Sequence, residues 1–244
     1  MIEVKNLSKS FGQSLIWQDV SFTIEDNTVL AIIGRSGCGK SVLLKHLNAL
    51  LEPDNGEVLI NGENIYSLNY VKLRKVRQLF GVLFQGGALF DSIDTFENVA
   101  FPLRYFSEKS ESEIRKRVLE CLDLVNLSNA GSKNTADLSG GMRKRVGLAR
   151  AMVLEPRYLL YDEPTSGLDP ETSDEINDLI IDTAEKLNVT SVVITHDMHS
   201  VLKIADKAIF LDQQKLAWQG TIDEMKVSTN ERLLSFIKAA EYTI

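Results

Sequence analysis

Gly34-Arg35-Ser36-Gly37-Cys38-Gly39-Lys40-Ser41 follows the apolar run Val29 to Ile33 and leads into a stretch with helical periodicity. The Walker A pattern requires this order of strand, glycine-rich loop and helix, and the octet satisfies it. Glycines let the backbone curl so that successive N–H groups converge on one concavity, where the amino terminus of the following helix adds positive potential. Such a concavity suits phosphate oxygens. Lys40 is expected to reach β and γ phosphates, and Ser41 to set its hydroxyl on Mg2+ together with phosphate oxygens and water.

Working outward, Ser41 to Leu51 is apolar through Val42, Leu43, Leu44, Leu47 and Leu50, and the turn Glu52-Pro53-Asp54-Asn55-Gly56 stops that helix. Phe80 to Phe84, Tyr158 to Tyr161, Ser191 to Ile194 and Ala208 to Leu211 are short β-branched or apolar runs of buried parallel strands, like Val29 to Ile33. Asp169 caps a helix with Pro170 at its first position, and Ile176, Leu179, Ile180 and Leu187 form its face. This alternation of strand and helix implies a parallel sheet covered by helices.

Two regions depart from the alternation. Ile2 to Leu7, Val20 to Ile24 and Glu57 to Ile60 read as antiparallel strands beside the main sheet. From about Asp94 to Leu154 helices follow one another without a convincing strand. Ser110 and Glu113 have capping-box spacing there, and Ile114, Val118, Cys121, Leu122 and Val125 recur at helical intervals. The expected class is α/β: a P-loop NTPase core with a mainly parallel sheet, an antiparallel β subdomain and an inserted α-helical subdomain. Residues 1–244 form one domain, with the core over about 1–93 and 155–244 and the helical insertion over about 94–154.

Composition narrows the partners. With 244 residues, 44% hydrophobic and 25% charged, the chain can bury a proper core. A formal charge of −7 argues against nucleic acid as a partner, because that affinity comes from clustered Lys and Arg. Cys38 and Cys121 match neither a metal knuckle nor a disulfide framework, so a reducing cytosol is expected. The start Met-Ile-Glu-Val-Lys lacks the apolar core of a signal peptide, and no apolar run approaches the ~20 residues of a membrane span. Any membrane role is then borrowed from another chain.

Ligands of open α/β sheets bind beyond the carboxyl ends of the strands. Those positions hold Gly34, then Gln85, then Asp162-Glu163, then Thr195-His196-Asp197. Asp162 ends its strand in the Walker B manner, suited to Mg2+, and Glu163 is placed to polarise the water that attacks the γ-phosphorus. Gln85 can ligate Mg2+ through its carbonyl oxygen and orient water, although a capped strand end explains it nearly as well. His196 can donate to a γ-phosphate, although a lone histidine is more often structural or exposed.

Leu138-Ser139-Gly140-Gly141-Met142, continuing as a helix from Arg143 to Ala151, resembles the signature motif of ATP-binding cassette proteins. The whole chain is similar to one such nucleotide-binding domain, with Walker A, Q-loop, signature, Walker B, the D-loop Ser166-Gly167-Leu168-Asp169 and a switch histidine in order. The resemblance implies an ATPase with ATP and Mg2+ as cofactors. It assigns catalysis to Glu163, His196, Gln85 and Lys40, and ATP binding to Phe11 as the adenine platform and to Gly34, Arg35, Ser36, Gly37, Cys38, Gly39, Lys40 and Ser41. The metal would be held by Ser41, Gln85 and Asp162. In this family two domains pair head to tail, so Ser139, Gly140 and Gly141 act on the opposite subunit's ATP, Asp169 serves the D-loop, and monomers hydrolyse poorly. A Ser-Gly-Gly opening a helix is independently an anion-binding terminus.

Leu83-Phe84-Gln85-Gly86-Gly87-Ala88-Leu89-Phe90-Asp91-Ser92, and Thr95-Phe96-Glu97-Asn98-Val99-Ala100-Phe101-Pro102-Leu103-Arg104, resemble the Mla/Mce-associated ATPases that energise bacterial phospholipid transport. Met142 fits the same subgroup. Both stretches lie where the family receives the coupling helix of a membrane permease; Leu89 and Phe90 could equally pack. The resemblance implies a homodimer of ATPase subunits, an integral membrane permease, and room for an Mce-type substrate-binding protein and a small regulatory subunit, on the cytoplasmic side of the inner membrane as a peripheral subunit. Another cargo is the main alternative. A soluble switch acting on DNA or ribosomes would carry a long coiled coil or two cassettes, and a module without turnover would not need Glu163 and His196. Asn27 occupies a turn where relatives commonly have glycine, which asparagine tolerates. Cys38, near a helix amino terminus, is expected to have a lowered thiol pKa. The short tail after Ile237 implies that the subunit-clasping extension of some relatives is mostly missing.

Overall fold

The computed structural model describes residues 1–241; residues 242–244, the end of the tail noted above, lie outside the described residues. The chain divides into two compact units, Met1–Arg77 with the segment from Thr190 onward, and Gln78–Val189.

In the first unit, β1 (Ile2–Phe11) and β2 (Ser14–Ile24) form an antiparallel pair, extended on the other side of β1 by β4 (Asn55–Ile60) and the short β5 (Glu63–Asn64). Alternation explains the pairing: Ile2, Val4 and Leu7, with Val20, Phe22 and Ile24, are buried while Lys5, Asp19, Ser21 and Thr23 face outward. A second sheet has β3 (Val29–Gly34) at its centre, flanked in parallel by β8 (Thr190–Ile194) and β9 (Lys207–Asp212), with β10 (Lys215–Thr221) antiparallel to β9. Every residue of β3 and β8 is buried, as parallel strands covered on both faces must be. Asn27 turns the chain into β3 with φ +59°, the left-handed conformation expected of it.

Helix α1 (Lys40–Leu47) is shorter than the expected Ser41 to Leu51. Tyr66, in a 3-10 turn at Ile65–Ser67, donates its hydroxyl to the carbonyls of His46 at 2.7 Å and Leu51 at 2.9 Å, and Arg77 donates to that of Ala49 at 2.7 Å. These donors draw the chain out of the helix, so Ala49 turns left-handed and Leu50, read as part of the apolar face, is 55% exposed. Helices α2 (Tyr70–Gln78), α7 (Met198–Ile204), α8 (Ile222–Lys226) and α9 (Glu231–Glu241) complete this unit. Ile33, Phe210, Val201, Met225, Leu233 and Phe236 share one buried cluster, which holds α7, α8 and α9 to the sheet.

In the second unit, β6 (Phe80–Leu83) lies parallel to β7 (Tyr158–Asp162), with Val82 opposite Leu160. The helices are α3 (Thr95–Phe106), α4 (Glu111–Leu124), α5 (Gly140–Met152) and α6 (Pro170–Leu187). Between Asp94 and Leu154 the described residues contain only a single bridge, Asp94 to Asn134. Each start is capped by the residue that chemistry favours: Asp94, Ser110 in a full capping box with Glu113, Ser139, and Asp169 ahead of Pro170. Each cap contributes about 1 kcal/mol. Ile114, Val118, Cys121 and Leu122 of α4 are all buried, the stripe that their spacing demands.

His46 sits at the end of α1 with no exposed surface, edge-on to Trp17 with ring centroids 5.1 Å apart, and with Nδ1 3.4 Å from the Tyr66 hydroxyl. Burial holds its imidazole down at about 4, against an ordinary value of 6.5. Between those values the unfolded chain binds a proton that the fold refuses. This part of the stability is therefore complete above about pH 6.5 and is lost as pH falls towards 4. Urea midpoints measured across that window should fall more steeply for the natural chain than for His46→Gln; equal slopes would remove His46 as the cause.

Candidate functional site

The first unit carries the predicted phosphate loop between β3 and α1. A turn closed by the Cys38 amide on the Arg35 carbonyl, at 3.2 Å, bends the chain between β3 and α1. Gly39 takes the N-cap of α1 with φ +96°, and a Cβ there would meet Ile16 Cγ2 and Trp17 Nε1 at 2.4 Å, so only glycine fits. The Trp17 indole donates to the Gly39 carbonyl at 3.4 Å. Lys40 is 7% exposed and lays its ammonium across the loop, 2.9 Å from the Gly34 carbonyl and 3.3 Å from that of Arg35.

Unlike α3, α4, α6 and α7, α1 has no side-chain cap, and its first turn carries no acid. Its leading amides therefore carry no side-chain cap, as a helix start that receives an anion requires. Nothing lies within 4 Å of where a Cβ on Gly37 would stand, so the crest of the loop is open. Converging amides, a buried ammonium and the exposed Ser41 fit a nucleotide polyphosphate. Among the described residues no group of three or more His, Cys, Asp or Glu side chains is placed to hold a metal. The donors at hand suit an ion that keeps phosphate and water oxygens as ligands, as Mg2+ does.

Parallel pairing brings a second predicted residue to the same sheet edge. Ile194 lies opposite Ile32, so Thr195-His196-Asp197 leave β8 where the loop leaves β3. Thr195 is buried and accepts the Asp197 amide at 3.0 Å, Asp197 caps α7, and His196 between them is exposed. Phe11 ends β1 opposite Ser14, 49% exposed, with the Lys9 ammonium 5.5 Å from its ring centroid.

The second unit gathers Gln85, Asp162, Glu163, the signature segment and Asp169. Asp162 is the last residue of β7, and Glu163 follows it with φ +49°, a conformation that costs a non-glycine residue about 1–2 kcal/mol. Its carbonyl accepts the Ser166 amide at 3.2 Å and the Lys144 ammonium at 3.0 Å. Gln85, exposed beyond β6, donates to the Ser166 hydroxyl at 3.2 Å. Arg150 steadies the chain after it through the carbonyls of Gly87 and Ala88, each at 2.8 Å. Ser139 accepts the Met142 amide at 3.2 Å, ahead of Gly140 and Gly141 at the start of α5. The Thr172 amide and hydroxyl donate to Asp169 at 3.0 and 2.7 Å and hold its carboxyl below the usual range.

Lys144 was not anticipated from the sequence. It is 5% exposed; burial lowers its pKa, opposed by the Glu163 and Asp162 carboxylates. The usable signal was a cation in the buried stripe Gly141, Lys144 and Leu148 of an amphipathic helix.

Cys38 corrects an expectation. Burial raises its thiol pKa above the ordinary cysteine value, outweighing the opposing pull of Lys40. Burial likewise pushes the Cys121 thiol up to about 11. Alkylation of the native chain by iodoacetamide should be slower at neutral pH than that of a free thiol, confined to Cys38, faster as pH rises and slower with Mg-ATP. Rapid labelling at neutral pH, or a rate indifferent to nucleotide, would count against the placement of Cys38.

A sequence profile of the ABC transporter family matches residues 17–166. The chain is 44% identical over 236 residues to the probable ribonucleotide transport ATP-binding protein mkl of Mycobacterium leprae, covering 97% of this chain and 68% of that one. It is 41% identical over 238 residues to the intermembrane phospholipid transport system ATP-binding protein MlaF of Haemophilus influenzae, covering 98% and 90%. Among solved structures it matches the dimeric post-hydrolysis state of the ATP-binding cassette MJ0796 bound to ADP and Pi, with a TM-score of 0.83, 31% identity, and coverage of 91% of this chain and 99% of that one. A family model over most of the chain and relatives this similar along nearly its whole length show that the chain belongs to the ABC transporter family, as an ATP-hydrolysing cassette.

Proposed function

We propose that this cassette energises phospholipid transport in a bacterial envelope, closing as a dimer on ATP and opening after hydrolysis to move a membrane permease. The observation that carries the cargo is the likeness to MlaF, which spans 98% of this chain and 90% of that protein. In this reading Lys40 and the loop amides hold the phosphates, and Ser139, Gly140 and Gly141 close over the nucleotide of a second copy. Glu163 takes a proton from the attacking water. Gln85 orients that water, His196 donates to the γ-phosphate, and Phe11 supports the adenine. Mg2+, with Ser41, Gln85 and Asp162 as its protein ligands, supplies charge neutralisation on the phosphates.

An exposed aromatic run is the face assigned to the permease. Phe90, Phe101 and Tyr105 follow one another with ring centroids 4.9 and 6.5 Å apart, and Phe106 meets Tyr105 at 4.8 Å. Asn98, fully buried, fixes the Phe90 backbone by accepting its amide at 2.8 Å and donating to its carbonyl at 3.0 Å. Exposed aromatic side chains clustered in this way are typical anchors for a partner helix.

Two experiments separate the parts of this reading. Glu163→Gln should bind ATP normally, trap a closed dimer and lose nearly all phosphate release, whereas Lys40→Ala should weaken nucleotide binding itself; normal turnover by Glu163→Gln would remove Glu163 as the base. The complex purified from its own membranes should carry the permease and phospholipid. Recovery of ribonucleotide in place of lipid would favour the cargo named for the mycobacterial relative.

A further inference from the structure

Helix α5 starts at the signature segment and runs one face along residues 163–172. Gly141 approaches Thr172 so closely that a Cβ would meet Thr172 Cγ2 at 2.5 Å, and one on Gly140 would stand 3.3 Å from Leu168 Cδ2. One turn later Lys144, with its ammonium drawn out of water, donates to the Glu163 carbonyl at 3.0 Å. That carbonyl belongs to a residue in the left-handed region, where a glutamate does not rest unaided. A charge-assisted hydrogen bond from a side chain with almost no exposed surface is short of alternatives and geometrically definite. The Ser166 amide supplies only a weaker contact, at 3.2 Å, to the same oxygen. The backbone sets the direction in which the Glu163 side chain leaves the chain, so whatever fixes that carbonyl also fixes where the carboxylate starts from.

We propose that Lys144 is a positioning residue for Glu163: anchored on the signature helix, it pins the left-handed backbone of the base and makes the aim of the carboxylate depend on where that helix stands. The proposal rests on the reading of Glu163 as the group that activates water. Lys144 touches neither nucleotide nor water in this scheme and acts only through Glu163. Its consequence is directional. A phosphate engaged by Ser139 of this chain would be registered, through about one turn of α5, at this chain's own base.

The test is a cycle on the purified full-length chain, with kcat, KM and melting temperature measured for each variant. Lys144→Met should lower kcat about a hundredfold, the scale of an ångström of misplacement in a reacting group, with KM within twofold of the natural value. Lys144→Arg, which keeps a charged donor, should recover most of that loss. In a Glu163→Gln background, single-turnover hydrolysis should be no slower with Lys144→Met than without it, because a base that is absent cannot be aimed. If Lys144→Met does not fold, Lys144→Gln is read in its place, with the same unchanged KM and a smaller fall in kcat. Natural kcat in the folded variant, or equal losses in both backgrounds, overturns the proposal and leaves Lys144 as packing. If Glu163→Gln alone keeps natural turnover, the assignment of the base fails first and the positioning role with it.

Discussion

The junction between β3 and α1 is the constraint on which the chemistry depends. A strand buried on both faces delivers Gly34 to a fixed point, and Lys40 ties its own ammonium back to the carbonyls of Gly34 and Arg35. The loop is thereby held in a receptive shape by its own lysine. Ile16 and Trp17 press on Gly39 from the neighbouring hairpin, so the amide cluster cannot relax without disturbing β2. Lys9 pairs with Trp17 in that hairpin, whose tip carries Phe11, which places the proposed adenine platform in register with the brace on the loop. Preorganisation of this kind lets backbone dipoles stabilise phosphate charge with little rearrangement on binding.

A different logic governs the second unit. Its functional residues stand at element ends whose capping is dictated locally: Ser139 before α5, Asp169 before α6 and Asp162 at the tip of β7. Glu163 is the exception, since nothing in its own preferences favours the left-handed backbone. Strain that persists is held by its surroundings, and here α5 supplies the restraint. Rigid capping at most of these positions and an imposed conformation at Glu163, one the unit shares with Ala88 and Glu155, together suit a device that must switch between competent and idle states.

Much of this was legible because the signals are local. Val29 to Ile33 and Ser191 to Ile194 announce buried strands through β-branched content alone, and both are strands within one residue of the expected limits. Asp169-Pro170 and Ser110 with Glu113 mark helix starts by hydrogen-bonding chemistry that needs no tertiary context. The early end of α1 was not legible, since it depends on Tyr66 and Arg77, distant in the chain, competing for its carbonyls. Cys38 misled for a related reason: a helix terminus argues for a lowered thiol pKa, and only the fold reveals the burial that outweighs it. Helix α2 was not read because its stripe of Tyr70, Leu73 and Val76 is short, flanked by Lys and Arg, and none of its residues is fully buried. Lys144 lies in a stripe that sequence reads as packing, and its partner is a backbone atom that no residue pattern can name.

The aromatic run of Phe90 with Phe101 and Tyr105 of α3 also bears on how the isolated chain behaves in solution. Phe90, Phe101 and Tyr105 are 43%, 44% and 65% exposed, a patch that water wets poorly. At neutral pH the net charge of −7 keeps copies apart, but that repulsion vanishes near the isoelectric point of about 5.1. Mild acid therefore removes the colloidal barrier while leaving the sticky face uncovered, so precipitation and self-association should set in there when the membrane subunit proposed to cover it is absent.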